Sequence, residues 1–172
     1  MPGQSVKPDQ VIALLTSDSL KGKLSVLTER WGKDHLNEHT FAAISHSEVM
    51  NGIYFNKELD SDLSRPFLLE FPSQLSNECP HCEKSNVRGD LVLISRTGDV
   101  ILWVEVKLVT SEDPLRKSRV TNFKCDIFHA SCFESGTCIV FFDDVLSLRS
   151  RRKELEKYAE DRGVDLRLIG YY

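Results

Sequence analysis

A chain of 172 residues, 41% hydrophobic and 28% charged, has the size and composition of one globular domain that can bury a core without disulfides. Its net charge of −4 gives no whole-molecule attraction for nucleic acid, so any such contact has to come from a local basic patch. The apolar runs fall short of a bilayer span, the opening MPGQSVKPDQ is polar, and five cysteines make an odd set; these features suggest a reduced, intracellular (cytoplasmic) protein with no membrane partner.

In chain order, PDQVIALLTS reads as a first helix, with Pro8 suited to its first turn. KLSVLTERWGKDHLNEHTFAAISHSEVM continues in helical character, broken near Gly32. We take 1–34 as an N-terminal helical extension and 35–172 as the core of a single domain. Prolines 66, 72 and 80 mark an irregular stretch in which RPFLLEF fits a short strand. GDLVLIS and DVILWVEVKLV then form a hairpin, and DPLRKSRVTNFKCDIFHASCFESG a helix stopped at Gly136. TCIVFFDDV is a buried strand, SLRSRRKELEKYAEDRG an exposed helix stopped at Gly163, and VDLRLIGYY a closing strand. This order predicts an α/β fold, with a mixed central β-sheet flanked by helices.

The hairpin carries the chemistry. Its second strand is Val, Ile, Leu and Trp interrupted by Glu105 and Lys107, two residues apart and so on one face. With Thr97-Gly98 as a two-residue turn, every opposed pair sums to 195, and Asp90 faces Glu105. Opposed side chains have Cβ atoms about 4.5–5.5 Å apart. Two carboxylates at that distance repel by about 3 kcal/mol at an effective dielectric near 20. Lys107 relieves part of this, and a divalent cation relieves it well. The bland alternative is a structural salt bridge made by Lys107.

Asp90 in RGDLVLIS followed by Glu105-Val106-Lys107 in ILWVEVKLV resembles the motif of the PD-(D/E)XK nuclease superfamily, over about residues 35–172. The resemblance implies a restriction-endonuclease-like core, α-β-β-β-α-β, that hydrolyses DNA phosphodiester bonds with Mg²⁺ or Mn²⁺. Asp90 and Glu105 would then be metal ligands and Lys107 would sit beside the attacking water. Many members add an acid from the helix before the hairpin; Glu38 is preferred here over Glu48. Gly89 stands where the family's name has Pro. An endonuclease is the expectation, and a homodimer suits the cutting of both strands. Arg116, Lys117, Arg119 and Lys124 follow the second strand and offer a local positive run for a DNA backbone.

A second set of residues points to zinc. Cys79-Pro80-His81-Cys82 has the spacing of a knuckle but supplies only two ligands. On the helix after the hairpin, Val120, Phe123, Ile127 and Ala130 form the core stripe, while Cys125, His129 and Cys132 fall on the other side. Cysteine is seldom outward, so a structural Zn²⁺ joining knuckle and helix would explain the pattern. Two rival functions stay open: a non-catalytic binding or inhibitor/immunity-type module on the same fold, and a zinc-stabilised nucleic-acid or protein adaptor.

Overall fold

The computed structural model describes residues 8–31, 38–55, 68–95, 97–107, 117–133, 136–142 and 151–170. Its elements are α1 (Pro8–Leu15), α2 (Asp18–Trp31), α3 (Glu38–Phe55), β1 (Leu68–Gln74), β2 (Asn86–Ile94), β3 (Val100–Val106), α4 (Lys117–Ser131), β4 (Cys138–Phe142), α5 (Arg152–Asp161) and β5 (Leu166–Gly170). The strands form one five-stranded sheet in chain order. β1, β2 and β3 run antiparallel, whereas β3–β4 and β4–β5 are parallel. The mixed α/β sheet expected from the sequence is therefore present.

Alternation along the strands sorts the side chains into two cores. Leu91, Leu93, Leu102, Val104 and Val106 join Val11, Leu15, Phe41 and Val49 of α1 and α3. Val92, Ile94 and Trp103 face the other way, with Phe123, Ile127 and Ala130 of α4 and Leu155 of α5. The helix boundaries have local causes. Ser17 Oγ accepts the Leu20 N–H at 3.2 Å and caps α2. After α5, Gly163 takes φ 68, and the Val164 and Gly163 N–H groups bond Ala159 and Glu160 carbonyls, a complete Schellman stop.

The hairpin register has the expected value for a reason the sequence did not suggest. Leu91 faces Val104, Val92 faces Trp103 and Leu93 faces Leu102, all in the 195 register, but Ile94 faces Val100, one short. The strands close on Ser95 and Asp99, whose Ser95 N–H bonds the Asp99 carbonyl at 2.9 Å, so the connection is one residue longer than the expected Thr97-Gly98 turn. A bulge beside Leu93 then restores the count. The two departures cancel before the strand reaches Asp90.

At Asp90 itself the pleat of β2 reverses. Val87 and Val92 both join the α4-side core although they are five positions apart, an odd spacing that should put them on opposite faces. A Cβ on Gly89 would lie 2.5 Å from Val92 Cγ2 and 3.0 Å from the Trp103 ring. Glu70 of β1 takes φ 52 in the same stretch, between the pairs Leu69–Leu91 and Phe71–Gly89. Glycine at 89 is thus required by the close approach of Val92 and Trp103.

Candidate functional site: a carboxylate cleft beside a Cys/His group

Backbone pairing between β2 and β3 stops at Leu91 and Val104. Beyond it the Asp90 side chain substitutes for a backbone acceptor: Oδ2 takes the Val106 N–H at 2.8 Å. Glu105 is 4% exposed, and its Oε1 accepts the Trp103 Nε1–H at 2.8 Å. The strand order that makes Trp103 a core residue also aims Glu105 at α4. There it meets Asp126, 6% exposed, whose Oδ2 lies 3.3 Å from Lys107 Nζ. Asp90, Glu105, Lys107 and Asp126 all line one cleft of about 720 Å³.

Three acids thus share the cleft with the Lys107 ammonium. Burial, and then the Asp126 and Asp90 carboxyls, push the Glu105 carboxyl well above its ordinary range; Lys107 opposes the shift only in part. Asp126 is the residue that reading the sequence missed. It follows Phe123 by three and precedes Ala130 by four, which places it beside the apolar stripe of α4. An acid on that arc was the available signal.

The loop between β1 and β2 builds the second group. Leu75 N–H bonds the Ser85 carbonyl at 2.7 Å, Cys79 N–H bonds Lys84 at 3.0 Å, and Glu83 N–H bonds Cys79 at 2.8 Å. Glu83 at φ 56 turns the chain back, which lays Cys79 and Cys82 against α4. The Cys79 and Cys125 sulfurs are 3.6 Å apart, and His129 Nε2 lies 3.5 Å from Cys82 Sγ and 3.3 Å from Cys125 Sγ. All four donor atoms fall within 4.8 Å of one another, a group that could hold a metal ion. A disulfide bond is about 2.05 Å, so 3.6 Å is not one.

A tetrahedral ion with sulfur at about 2.3 Å and nitrogen at about 2.0 Å has donor–donor edges of about 3.8 and 3.5 Å. The three edges Cys79–Cys125, Cys82–His129 and Cys125–His129, at 3.6, 3.5 and 3.3 Å, lie within a few tenths of an ångström of those values. Burial, and then Lys107, hold the His129 imidazole down to about 4, so near neutrality it is uncharged and has a lone pair to offer. Burial and the neighbouring Cys82 and Cys79 thiols push the Cys125 thiol far up. A bound cation would displace those protons.

Cys132 does not join the group, contrary to the helical-wheel expectation. Its Sγ lies 3.5 Å from the Phe128 carbonyl, one turn back along its own helix. His81, inside the knuckle, is also apart: its Nε2 contacts the Tyr158 hydroxyl at 2.6 Å. His129 has a second association, because Glu105, Asp126 and His129 form another set of donors within 4.8 Å. The carboxylate cleft and the Cys/His group therefore meet at one histidine.

Of the other expected site residues, Glu38 opens α3, and its side chain lies outside the described residues, as do those of Lys117 and Arg119 on α4. Arg116 lies wholly outside them. Glu48, the less favoured acid, pairs with Lys23. Lys124 points away from the cleft to Glu154 at 2.6 Å and over the Tyr158 ring. The described cations that line the cleft are Lys84, Arg88 and Lys107. Among the described residues, no helix is long and apolar enough to cross a membrane. No family model, curated protein or solved structure matches this chain.

Proposed function

We propose that the protein is a metal-dependent nuclease, an endonuclease on a restriction-endonuclease-like core, that hydrolyses DNA phosphodiester bonds in the cleft holding Asp90, Glu105 and Lys107. The convergence of these three residues at the open end of the β2–β3 hairpin carries the reading. The order α3-β1-β2-β3-α4-β4 supports it.

The donor chemistry suits two different ions. Carboxylate oxygens at Asp90 and Glu105 favour Mg²⁺ or Mn²⁺, and the Cys₃His set of Cys79, Cys82, Cys125 and His129 favours Zn²⁺. A Mg²⁺ bound by the two acids would lower the pKa of a coordinated water and stabilise charge on the phosphoryl group. Lys107 would orient that water and meet the negative charge that develops as the bond breaks. Asp126 holds the Lys107 ammonium in place. Trp103 and the Val106 N–H fix one oxygen each of Glu105 and Asp90, so both carboxyls are set before any ligand arrives. The zinc takes all its ligands from protein and is structural.

The Lys107–Asp126 ion pair favours one alternative, in which the charges satisfy one another and the module only binds. Metal titration separates the two readings. Zinc-loaded protein should bind Mn²⁺, seen by electron paramagnetic resonance, and Glu105→Gln should lose that binding with zinc retained. An absence of Mn²⁺ binding in the wild type would favour the binding module.

A further inference from the structure

Two exposed cations stand at the cleft. Lys84 and Arg88 both line it and both are exposed. Among the described residues neither has an acidic partner. Away from the cleft, Lys23, Lys124, Arg152 and Arg167 are neutralised by Glu48, Glu154, Glu156 and Asp165, whereas the exposed Lys153 and Lys157 of α5 have no such acid among the described residues. What sets Lys84 and Arg88 apart is their place in the lining of the cleft, where an anionic ligand would meet both.

Their placement follows from the β1–β2 ribbon. Pairing of β2 with β3 ends at Leu91, yet β2 goes on pairing with β1 through Arg88–Pro72 and Asn86–Gln74. The ribbon therefore continues past the end of β3, along the open side of the cleft. From Asp90 back to Asn86 a strand advances about 13 Å, roughly four steps of a nucleic-acid strand at 3.4 Å each. Arg88 lies within that interval and Lys84 just beyond it, where its carbonyl accepts the Cys79 N–H at 3.0 Å. Lys84 is thus tied to the Cys/His group, and the same knuckle that would hold zinc fixes one end of the track. Asn86, also in the cleft lining, adds a neutral donor between the two cations.

We infer that Lys84, Asn86 and Arg88 form a phosphate-binding track that leads a DNA backbone to Asp90. The inference rests on the nuclease reading for what happens at the end of the track, but the binding step can be measured alone. Fluorescence anisotropy of a fluorescein-labelled DNA duplex and of its single strand, with zinc-loaded protein and Ca²⁺ so that nothing is cut, reads it directly. The Lys84→Ala/Arg88→Ala double variant should lose about tenfold or more in affinity, and its log–log salt slope should fall by about 1.8 on the duplex and about 1.4 on the single strand, at about 0.9 and 0.7 per phosphate contact. Lys153→Ala/Lys157→Ala, two exposed lysines of α5, is the control and should change neither. Equal affinity and slope in the double variant, an equal loss in the control, or no binding by the wild type would overturn the track. A wild type that binds through Lys84 and Arg88 but never cuts would overturn the nuclease reading and leave the track standing.

Discussion

Asp90 Oδ2 accepts the Val106 backbone N–H at 2.8 Å, so the acid nearest the proposed chemistry also completes the hairpin. Val106 is fully buried, and its N–H would have no acceptor if the side chain were truncated. Asp90→Ala should therefore cost about 2 kcal/mol of stability, the range for a lost hydrogen bond to a charged group. Asp90→Asn keeps an acceptor and should unfold within about 1 kcal/mol of wild type. Urea unfolding of the two variants side by side checks this, and Asn is the correct substitution for any activity test.

Glu105 gives a pH signature. A carboxyl whose pKa is higher in the folded than in the unfolded chain holds its proton more tightly when native. Its contribution is then greatest below the ordinary value of 4.5 and is lost as pH rises through the raised folded value. Metal-free Glu105→Gln should be more stable than wild type near pH 8 and show a flatter profile from about pH 5 upward. Added Mn²⁺ should stabilise the wild type alone. Denaturant midpoints across that range, with and without Mn²⁺, test both statements.

The Cys/His group separates members from bystanders. Cys79→Ser, Cys82→Ser and His129→Ala should each lose bound zinc, measured by atomic emission, and lower the unfolding midpoint. Cys132→Ser should retain one zinc per chain, because its sulfur faces the Phe128 carbonyl. Chelation of the wild type should reproduce the first result.

Gly89 has no room for a methyl group. A Cβ there would meet Val92 and Trp103 at 2.5 and 3.0 Å. Gly89→Ala should destabilise by about 1–3 kcal/mol, the usual range for overpacking. Gly22, where a Cβ would meet nothing within 4 Å, is the contrasting position. There, the same change in α2 should stabilise by up to about 1 kcal/mol. Thermal unfolding of both variants provides the comparison.

Periodic patterns in the chain made the sheet and the hairpin legible, because strand alternation repeats over many residues and a single error cannot hide it. The Asp90–Glu105 juxtaposition followed from the register even though the turn was read one residue short, since a bulge beside Leu93 compensates. A helical wheel drew Cys125 and His129 correctly to one side of α4. It drew Cys132 there too, because a wheel records angle and not height, and the knuckle covers only the turn holding Cys125 and His129. Asp126 is hidden from such patterns because it adjoins the apolar stripe of α4 and its partners, Glu105 and Lys107, come from another part of the chain. Of the expected basic run after β3, Lys124 pairs with Glu154 away from the cleft; Lys84 and Arg88 reach the cleft through β1–β2 pairing, a relation no local pattern reveals.

The most direct test is relaxation of supercoiled plasmid by zinc-loaded protein with Mn²⁺, wild type beside Asp90→Asn and Lys107→Ala. The nuclease reading expects metal-dependent nicking that falls by at least about 100-fold in both variants, with zinc content and unfolding midpoint preserved. Nicking that persists undiminished in both variants, or its absence in the wild type on plasmid, linear, single-stranded and branched DNA alike, would contradict it.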